Sequence, residues 1–443
     1  MSKKPIPESG IYDARELGAP RMLVLGIQHM FAMFGATVLV PVLTGLSVSS
    51  TLLFAGLGTL LFHFLAKGKV PAFLGSSFAF IGGYAAIAPN KEPELLPYAC
   101  FGVALAGLMY VVLAALFKVF GTKKVMKFFP PIVTGPVIIC IGLILSSSAI
   151  NNCQTNWWIA LVAIAVVIIA NIFGKGMIKI IPILLGVIAS YLVAAVTNNV
   201  DFTPVKEAAW IGLPFQMKDT VFGLFASPDL DPSMLITAAV TIMPLALATM
   251  VEHIGDICAI SSTCGKNYLD EPGLHRTLLG DGLATSMAAL FGAPANTTYG
   301  ENTGVLALSK VYDPRVVRIA AYFAIAFSFC PKFAALISAM PAATIGGISM
   351  ILYGMISAVG VRNVVENKVD FTNTRNVIIA AVIMVLAIGI NYSVGNIQIS
   401  EHISLSGLAV ASLVGILLNA ILPGKDYEFV QEEQGSTSVD FKV

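Results

Sequence analysis

The chain has 443 residues, of which 57% are hydrophobic and 12% are charged. An ordinary soluble domain carries about 25% charged residues, so this composition excludes a soluble protein. A net charge of +1 likewise excludes a general electrostatic attraction to nucleic acid. At about 20 apolar residues per bilayer crossing, the chain is long enough for about a dozen or more membrane spans joined by short loops.

The N-terminal segment and the cysteines indicate no further chemistry. The first 21 residues are polar and many apolar runs follow, so we expect no cleaved signal peptide. The six cysteines lie mostly in apolar runs without a CxxC pair, which is typical of buried residues rather than metal ligands. Because no HExxH or GxSxG motif stands out, we expect no metal, no cofactor and no enzyme activity.

Apolar runs separated by Gly, Pro, Asn or charged residues follow one another along the chain and are candidate spans. The first seven runs are 22–44, 48–66, 74–88, 97–119, 129–149, 156–173 and 178–197. After a more polar stretch, the second seven are 233–260, 276–292, 298–309, 314–330, 340–360, 375–394 and 402–422. The pattern predicts an all-α polytopic membrane protein of 14 spans.

The distribution of Lys and Arg tests this count, because one missed span would invert the side of every later loop. With the N-terminus inside, 22 of the 26 Lys and Arg residues fall on the cytoplasmic side. The opposite side keeps the other four, which are Lys91, Lys206, Lys218 and Lys332. The sequence therefore predicts an even number of spans, with both termini in the cytoplasm.

The third and tenth runs are too short for ordinary membrane helices and share a local pattern. Residues 71–79 and 294–300 each contain a Pro-Ala pair, two hydroxyl residues, an aromatic residue and a small residue. Each run is third of seven in its half, and seven is odd, so the second half enters the membrane from the opposite side. We therefore expect two inverted seven-span repeats with short extended segments in spans 3 and 10.

Interrupted segments at matching places in two repeats are typical of a transporter's binding site. Extended backbone is tolerated in a bilayer only where protein or a polar cavity surrounds it. The helices that follow would begin near Ser77 and Thr298 and direct free N–H groups at the membrane midplane. We therefore count Ser77 and Thr298 as candidate substrate-binding residues; the alternative is that they only cap or pack these helices.

Four carboxylates fall within or at the edge of apolar runs, namely Glu252, Asp256, Asp281 and Glu301. A charge there costs several kcal/mol unless it is paired, hydrated or protonated. Glu252 and Asp256 share one helix face, and their proximity favours proton carriage; the alternative is a pair of surface acids at a cytoplasmic helix end. Asp281 either pairs with the nearby Arg276 or takes part in transport.

The residues around the second break indicate what the site binds. Glu301 directly follows that break, beside Tyr299 and Gly300, and is the strongest candidate for ligand contact. His29 in the first span either hydrogen-bonds the site or packs within the protein. Together with Phe78, these groups suit a flat neutral ring with N–H donors and C=O acceptors, such as a nucleobase. Amino acids and inorganic anions stay open from the chemistry alone.

Over essentially its whole length the chain resembles the nucleobase-ascorbate transporter family, also called nucleobase:cation symporter-2, and most closely its bacterial uracil permeases. The motifs that carry the resemblance are QHMFAMFGAT at 28–37, GSSFAF at 75–80, EHIG at 252–255, PGLHR at 272–276 and NTTYGENTG at 296–304. Together these motifs are specific to the family, although no single one of them is.

The resemblance implies a division of the 14 spans into two domains. Spans 1–4 and 8–11 would form a core domain from residues 22–124 and 233–339. The other six spans would form a gate domain from residues 125–200 and 340–424. Substrate would bind between the domains, and the core would slide past the gate in an elevator-like motion. A homodimer through the gate domains is compatible with this motion, because the gate stays fixed in the bilayer.

The resemblance also assigns the substrate-binding residues. Glu252 and Glu301 would bind the base, and the backbone at Phe78, Tyr299 and Gly300 would assist. The family's uracil permeases have Glu at the position of Glu301, whereas purine and xanthine relatives commonly have Gln. The sequence therefore favours uracil as the substrate.

Two residues depart from the pattern of the uracil permeases. Asp256 stands where some of them have His, and Asp281 looks like an acidic residue of purine-transporting relatives. Xanthine or another purine is therefore the alternative substrate. An anion channel or exchanger of the same broad fold is the alternative from another functional class.

We thus expect a proton-coupled secondary active importer of uracil in the bacterial inner (plasma) membrane. The candidate proton-coupling residues are Glu252, Asp256, Asp281 and His29, and Na⁺ is left open as the coupling ion. One charge that crosses about 100 mV supplies roughly 2.3 kcal/mol, which corresponds to about 50-fold accumulation. A single proton is therefore enough.

Overall fold

A computed structural model describes residues 10–400 and 403–424. Most of these residues are helical, and the others form loops, short 3₁₀ turns and four short strands. Of Glu301, the structure describes only the backbone and not the side chain. The termini that we predict to be cytoplasmic, residues 1–9 and 425–443, also lie outside the described residues.

The first half of the described chain contains eleven α-helices. They are α1 (Ala19–Thr44), α2 (Val48–Leu65), α3 (Ile81–Ile87), α4 (Leu96–Phe120), α5 (Thr122–Val125), α6 (Pro131–Gln154), α7 (Trp157–Phe173), α8 (Met177–Ile180), α9 (Pro182–Val196), α10 (Thr203–Glu207) and α11 (Val221–Phe225). Gly45 ends α1 in the left-handed conformation. Ser47 then caps α2, because its hydroxyl accepts a hydrogen bond from the Ser50 amide. With these two caps, the connection between α1 and α2 is limited to residues 45–47.

The second half of the described chain contains nine α-helices and three short strands. The helices are α12 (Pro232–Ile242), α13 (Ala246–Cys264), α14 (Leu274–Leu290), α15 (Gly300–Ser309), α16 (Pro314–Ser328), α17 (Pro331–Ser338), α18 (Ala342–Glu366), α19 (Thr374–Ser393) and α20 (Gly407–Ile421). The strands of the whole described chain are β1 (Leu74–Ser76), β2 (Asn296–Thr298), β3 (Asn396–Ser400) and β4 (Ile403–Ser406). β1 pairs with β2 and β3 pairs with β4, both antiparallel.

Seven helical segments of the described chain are long and apolar enough to cross a membrane, namely α1, α2, α4, α6, α12 with α13, α18 and α19. The bent pair α16 and α17, which turns by 91°, makes an eighth if it is one span. Shorter apolar helices lie at Phe78–Ile87, Trp157–Phe173, Pro182–Val196 and Gly407–Ile421. Every predicted apolar run overlaps at least one helix, in agreement with a multi-pass membrane protein. The count of 14 crossings stays a prediction.

The hairpin of β3 and β4 corrects the expectation that the chain is helical outside the two breaks. We predict a final helical run from 402 to 422, but the helix begins only at Gly407 and residues 403–406 form β4. Residue 402 itself lies outside the described residues. The sequence from 397 to 405 alternates apolar and polar residues over most of its length, which is a pattern of strands rather than of helices.

The long helices pack in two groups. In the first group α4 and α2 pack on α14, and α2 and α1 pack on α16; in the second group α6 packs on α18 and α19, and α7 packs on α9 and α18. Small residues allow the closest approach within each group, as is common in membrane helices. A Cβ added at Gly282 would lie 2.6 Å from the carbonyl oxygen of Gly107, and one added at Gly360 would lie 2.7 Å from that of Gly135. Helix backbones therefore touch at these points.

Candidate functional site

The two predicted breaks lie side by side in the protein interior. β1 and β2 pair antiparallel with Leu74 opposite Thr298, and all six of their residues are buried. The pairing extends at both ends, because the Ser77 amide donates to the Ala295 carbonyl at 2.8 Å and the Tyr299 amide donates to a carbonyl of the facing segment at 3.0 Å. The expectation of extended segments at both places is confirmed. Each segment supplies the backbone partners that the other needs.

Neighbouring helices hold the strands through side-chain hydrogen bonds. Thr285 of α14 donates its hydroxyl proton to the backbone carbonyl of Asn296 at 2.9 Å. The side-chain amide of Asn296 donates to the Phe54 carbonyl of α2 at 3.0 Å. Thr59 of α2 accepts from the Leu74 amide at 2.9 Å. These side chains are buried, so each bond replaces water that the strands cannot reach.

A helical segment starts directly after each strand. The 3₁₀ turn Phe78–Phe80 leads into α3, and α15 begins at Gly300. Neither Ser77 nor Tyr299, the residues before these segments, caps its helix with a side-chain hydrogen bond. The first-turn N–H groups therefore have no side-chain cap.

The strand pairing corrects one detail of the expected donors. We expect backbone amides around Phe78 and Tyr299 to face the ligand, but the Tyr299 amide is bonded to the Phe73 carbonyl. The first amides beyond the strand pair are those of Phe78 and Gly300. The hydroxyl of Ser77 is fully buried and has no hydrogen-bond partner in the described part of the chain.

The acids of α13 face the second strand. Asp256 accepts a hydrogen bond from the Thr298 hydroxyl at 2.7 Å, which joins α13 to the end of β2. Glu252 lies one helical turn earlier on the same face, and both acids are half-buried. The backbone of Glu301 lies in the first turn of α15, next to Gly300. Asp256 is thus joined to the strand that leads into α15, and Glu252 shares its face of α13.

Asp281 does not contact the expected Arg276. Its Oδ2 lies 2.9 Å from Nδ1 of His253, and both side chains are fully buried. Arg276 instead donates to the Leu65 carbonyl at 3.1 Å. His253 occupies the face of α13 turned away from Glu252, where it joins α13 to α14. The sequence showed that His253 points away from the acids but did not identify its partner.

His29 contacts the residue that follows Glu301. The side-chain amide of Asn302 donates to the His29 carbonyl at 3.0 Å and lies 3.1 Å from His29 Nδ1. Because the amide nitrogen is the donor, this network assigns Nδ1 as an acceptor and places the imidazole proton on Nε2. His29 Nε2 is buried without a partner among the described residues. His29 therefore anchors the first turn of α15 to α1.

Aromatic side chains complete the surroundings of the strands. Phe78 packs edge-on against Tyr353 of α18, with ring centroids 5.8 Å apart. The Tyr299 ring is 4% exposed, and its hydroxyl donates to the Ser76 carbonyl at 2.9 Å. Phe78 thus lies against α18 of the second helix group, next to the strand pair that Asp256 contacts.

Comparison with known proteins identifies the family. A sequence model described as a permease family matches residues 20–395. The chain belongs to this permease family. It is 40% identical to the uracil permease of Bacillus subtilis (strain 168) over 99% of both chains, and 41% identical to that of Bacillus caldolyticus over 95% of both. It is 38% identical to the uracil permease of Escherichia coli (strain K12) over 90% of both chains. The resemblance found in the sequence is confirmed.

Solved structures show the same fold at low sequence identity. The overall structure of SLC26A9 has a TM-score of 0.67 at 13% identity and matches 92% of this chain and 66% of that one. The transmembrane domain of the cyanobacterial bicarbonate transporter BicA has a TM-score of 0.56 at 16% identity and matches 93% of this chain and 98% of that one. Family and fold together make the permease a multi-pass membrane transporter and not an enzyme.

Proposed function

We propose that this permease is a proton-coupled secondary active importer of uracil. The observation that carries the proposal is the pairing of β1 with β2, which places a half-helix start at each end of one short ladder, with Asp256 of α13 bonded to it. The uracil permeases that are about 40% identical over nearly the whole chain support the choice of substrate.

We assign a partner to each part of a uracil ring. Glu252 and Glu301 accept hydrogen bonds from the two ring N–H groups, and the amides of Phe78 and Gly300 donate to the ring carbonyls. Hydrogen bonds to a carboxylate are about twice as strong as neutral ones. The rings of Phe78 and Tyr299 provide apolar surface for the base, while Ser77 and Thr298 supply hydroxyls at the ends of the strands.

The same carboxylates provide the coupling to protons. A half-buried carboxylate is costly as an anion, so it favours a bound proton while the core crosses the membrane. Glu252 and Asp256 carry the exchanging proton, and Asp281 and His29 complete the set of titratable groups around α13 and α15. Na⁺ is the alternative coupling ion, and the test below separates the two.

Import follows from the motion of one helix group against the other. We assign residues 22–124 and 233–339 to a moving core domain and residues 125–200 and 340–424 to a fixed gate domain, within 14 spans arranged as two inverted repeats. The base sits at their boundary, where Phe78 meets Tyr353. Both termini face the cytoplasm of a bacterial cell, and gate domains pair in a homodimer.

Uptake into proteoliposomes tests this function. Labelled uracil is offered under an imposed inward pH gradient with and without sodium, and unlabelled xanthine and uric acid serve as competitors. We expect accumulation that needs the pH gradient, not sodium, and that xanthine does not inhibit. Glu252→Gln and Glu301→Gln each abolish uptake while the protein still reaches the membrane. Near-normal uptake in either variant, or uptake without a gradient requirement, contradicts the proposal.

Xanthine is the second candidate substrate, favoured by Asp256 at a position where some uracil permeases have His. Preferential inhibition by xanthine in the same assay would select it. The bicarbonate transporter BicA and the anion transporter Slc26a9 share the fold, but Glu252 and Asp256 would repel an anion at this place.

A further inference from the structure

Thr37 lies where the first helix meets both paired strands. It is fully buried on α1, and the proposed function gives it no role. Its carbonyl oxygen accepts a hydrogen bond from the Ser76 hydroxyl at 2.9 Å. Its own hydroxyl lies 3.4 Å from the hydroxyl of Tyr299. One residue of α1 thus contacts the last residue of β1 and the residue that follows β2.

The Tyr299 side chain closes a triangle with Thr37 and β1. Its hydroxyl donates to the Ser76 carbonyl at 2.9 Å, and its ring lies against the backbone of Gly75. A Cβ added at Gly75 would come within 2.4 Å of the Tyr299 ring and 2.7 Å of the Thr37 hydroxyl. Only glycine fits there, so the close contact between the two strands depends on these three residues together.

The protons available to the two hydroxyls decide which of them donates in the Thr37–Tyr299 hydrogen bond. Tyr299 uses its single hydroxyl proton for the Ser76 carbonyl, so its oxygen can only accept from Thr37. The Thr37 hydroxyl also lies 3.3 Å from the sulfur of Met33, which is a weak acceptor. The Thr37 hydroxyl therefore shares its proton between the phenolic oxygen and the Met33 sulfur, and its bond to the phenolic oxygen links α1 to the Tyr299 ring.

This triangle connects residues next to both half-helix starts. Ser76 and Tyr299 stand beside those starts, and the amides of Phe78 and Gly300 follow them in the chain. We propose that Thr37 is a positioning residue that fixes the start of α15 relative to β1 and thereby favours one pyrimidine ring over two-ring purines. The inference rests on the proposed uracil import.

Isosteric substitutions test the proposal in the proteoliposome assay. Thr37→Val removes the hydroxyl and keeps the shape, and Tyr299→Phe removes the other hydroxyl. We expect Thr37→Val to raise the KM for uracil about threefold to tenfold, the effect of one net hydrogen bond, with Vmax per transporter nearly unchanged. Tyr299→Phe should raise the KM at least as much, because it also loses the bond to the Ser76 carbonyl. Xanthine should inhibit both variants more strongly than the parent. Thr37→Ser keeps the hydroxyl and should retain the parent KM.

The double variant and a control on the same helix separate positioning from general damage. Thr37→Val with Tyr299→Phe should be no worse than Tyr299→Phe alone, because that single change already removes the hydroxyl to which Thr37 donates. Thr44→Val is the matched control, since Thr44 is buried on α1 and its hydroxyl bonds the Val40 carbonyl of its own helix at 2.9 Å. We expect its KM to equal that of the parent.

Several outcomes overturn the inference. They are an unchanged KM in Thr37→Val, single effects that multiply in the double variant, and a loss in Thr37→Ser equal to that in Thr37→Val. If Thr37→Val does not reach the membrane, Tyr299→Phe tests the inference in its place. An unchanged KM for uracil or an unchanged inhibition by xanthine in Tyr299→Phe then overturns the inference. Failure of the proposed function is visible separately, because the parent would then accumulate no uracil.

Discussion

Asp256 and Glu252 lie on one face of α13, and Asp256 is hydrogen-bonded to the paired strands. The Thr298 hydroxyl donates to Asp256 at 2.7 Å, so the acid is held at the end of β2. An asparagine at 256 would still offer an oxygen acceptor to Thr298, but it could not bind or release a proton. Substitution at 256 therefore separates the structural role of the oxygen from its titration.

Asp256→Asn should flatten the dependence of uptake on pH. A carboxylate that must be protonated for import favours uptake at low pH, and uptake falls as the pH rises through its pKa. The permanently neutral amide imitates the protonated form, so the fall at higher pH should be weaker than in the parent. The measurement is the initial rate of uracil uptake from about pH 5 to about pH 8, with the amount of protein in the vesicles held equal.

Asp231→Asn is the matched control for this change. Asp231 is an exposed N-cap of α12 whose carboxylate accepts from Ser233, and asparagine caps a helix equally well. Its pH profile should follow that of the parent. A profile of Asp256→Asn that also overlays the parent's would remove Asp256 from the coupling mechanism.

At the scale of single residues the sequence predicts the position of a charge better than its partner. Helical spacing alone places Glu252 and Asp256 on one face. The same spacing turns His253 away from them, but it cannot show that Asp281 of α14 lies opposite. Arg276 is closer to Asp281 in sequence, whereas the packing of α13 on α14 brings His253 within 2.9 Å. Packing decides which helices touch, and the sequence pattern of a single helix does not predict its neighbour.

At the scale of elements the two broken spans were predictable because three independent signals agree. Both runs are short, both contain the same order of residue types, and both are third in their half. The hairpin of β3 and β4 has only one signal, the alternation from 397 to 405, and it borders a long apolar run that favours a helix. We therefore predict a helix from 402, whereas the structure has β4 up to Ser406 and begins α20 at Gly407.

The contact between α1 and α9 gives a prediction at this scale. A Cβ added at Gly35 would lie 2.4 Å from Cγ2 of Ile183, a β-branched side chain that has little freedom to move. In the proposed mechanism α1 belongs to the moving core and α9 to the gate. Gly35→Ala should therefore reduce uptake severalfold by opposing this packing state, and Ile183→Ala in the same chain should restore it, as initial rates in proteoliposomes will show.

Gly389→Ala is the control, because it also places alanine in a long helix and its added Cβ meets no atom within 4 Å. It should leave uptake unchanged. If Ile183→Ala fails to restore uptake to Gly35→Ala, the steric contact is not the cause of the loss.

At the scale of the whole molecule, contacts within a helix group and contacts between groups should have different consequences. Gly282 of α14 faces Gly107 of α4 inside one group, and a backbone carbonyl cannot move aside as a side chain can. Gly35 faces Ile183 across the boundary of the groups. The number and order of helices follow from the sequence, but which pairs touch through glycine follows only from the assembled bundle, because small residues occur in every helix.

Gly282→Ala should therefore reduce stability rather than transport. The added Cβ would lie 2.3 Å from Cβ of Tyr110 and 2.6 Å from the Gly107 carbonyl, so α4 and α14 must separate. Such overpacking typically costs about 1–3 kcal/mol, which lowers the unfolding temperature by several degrees. Thermal unfolding of the detergent-purified protein measures this, with Gly35→Ala expected to lose less stability than Gly282→Ala because the two helix groups can separate at their boundary. Uptake per folded molecule should be retained in Gly282→Ala and reduced in Gly35→Ala. The reverse assignment, with Gly35→Ala unstable and Gly282→Ala inactive but stable, would show that the boundary between moving and fixed helices lies elsewhere in the bundle.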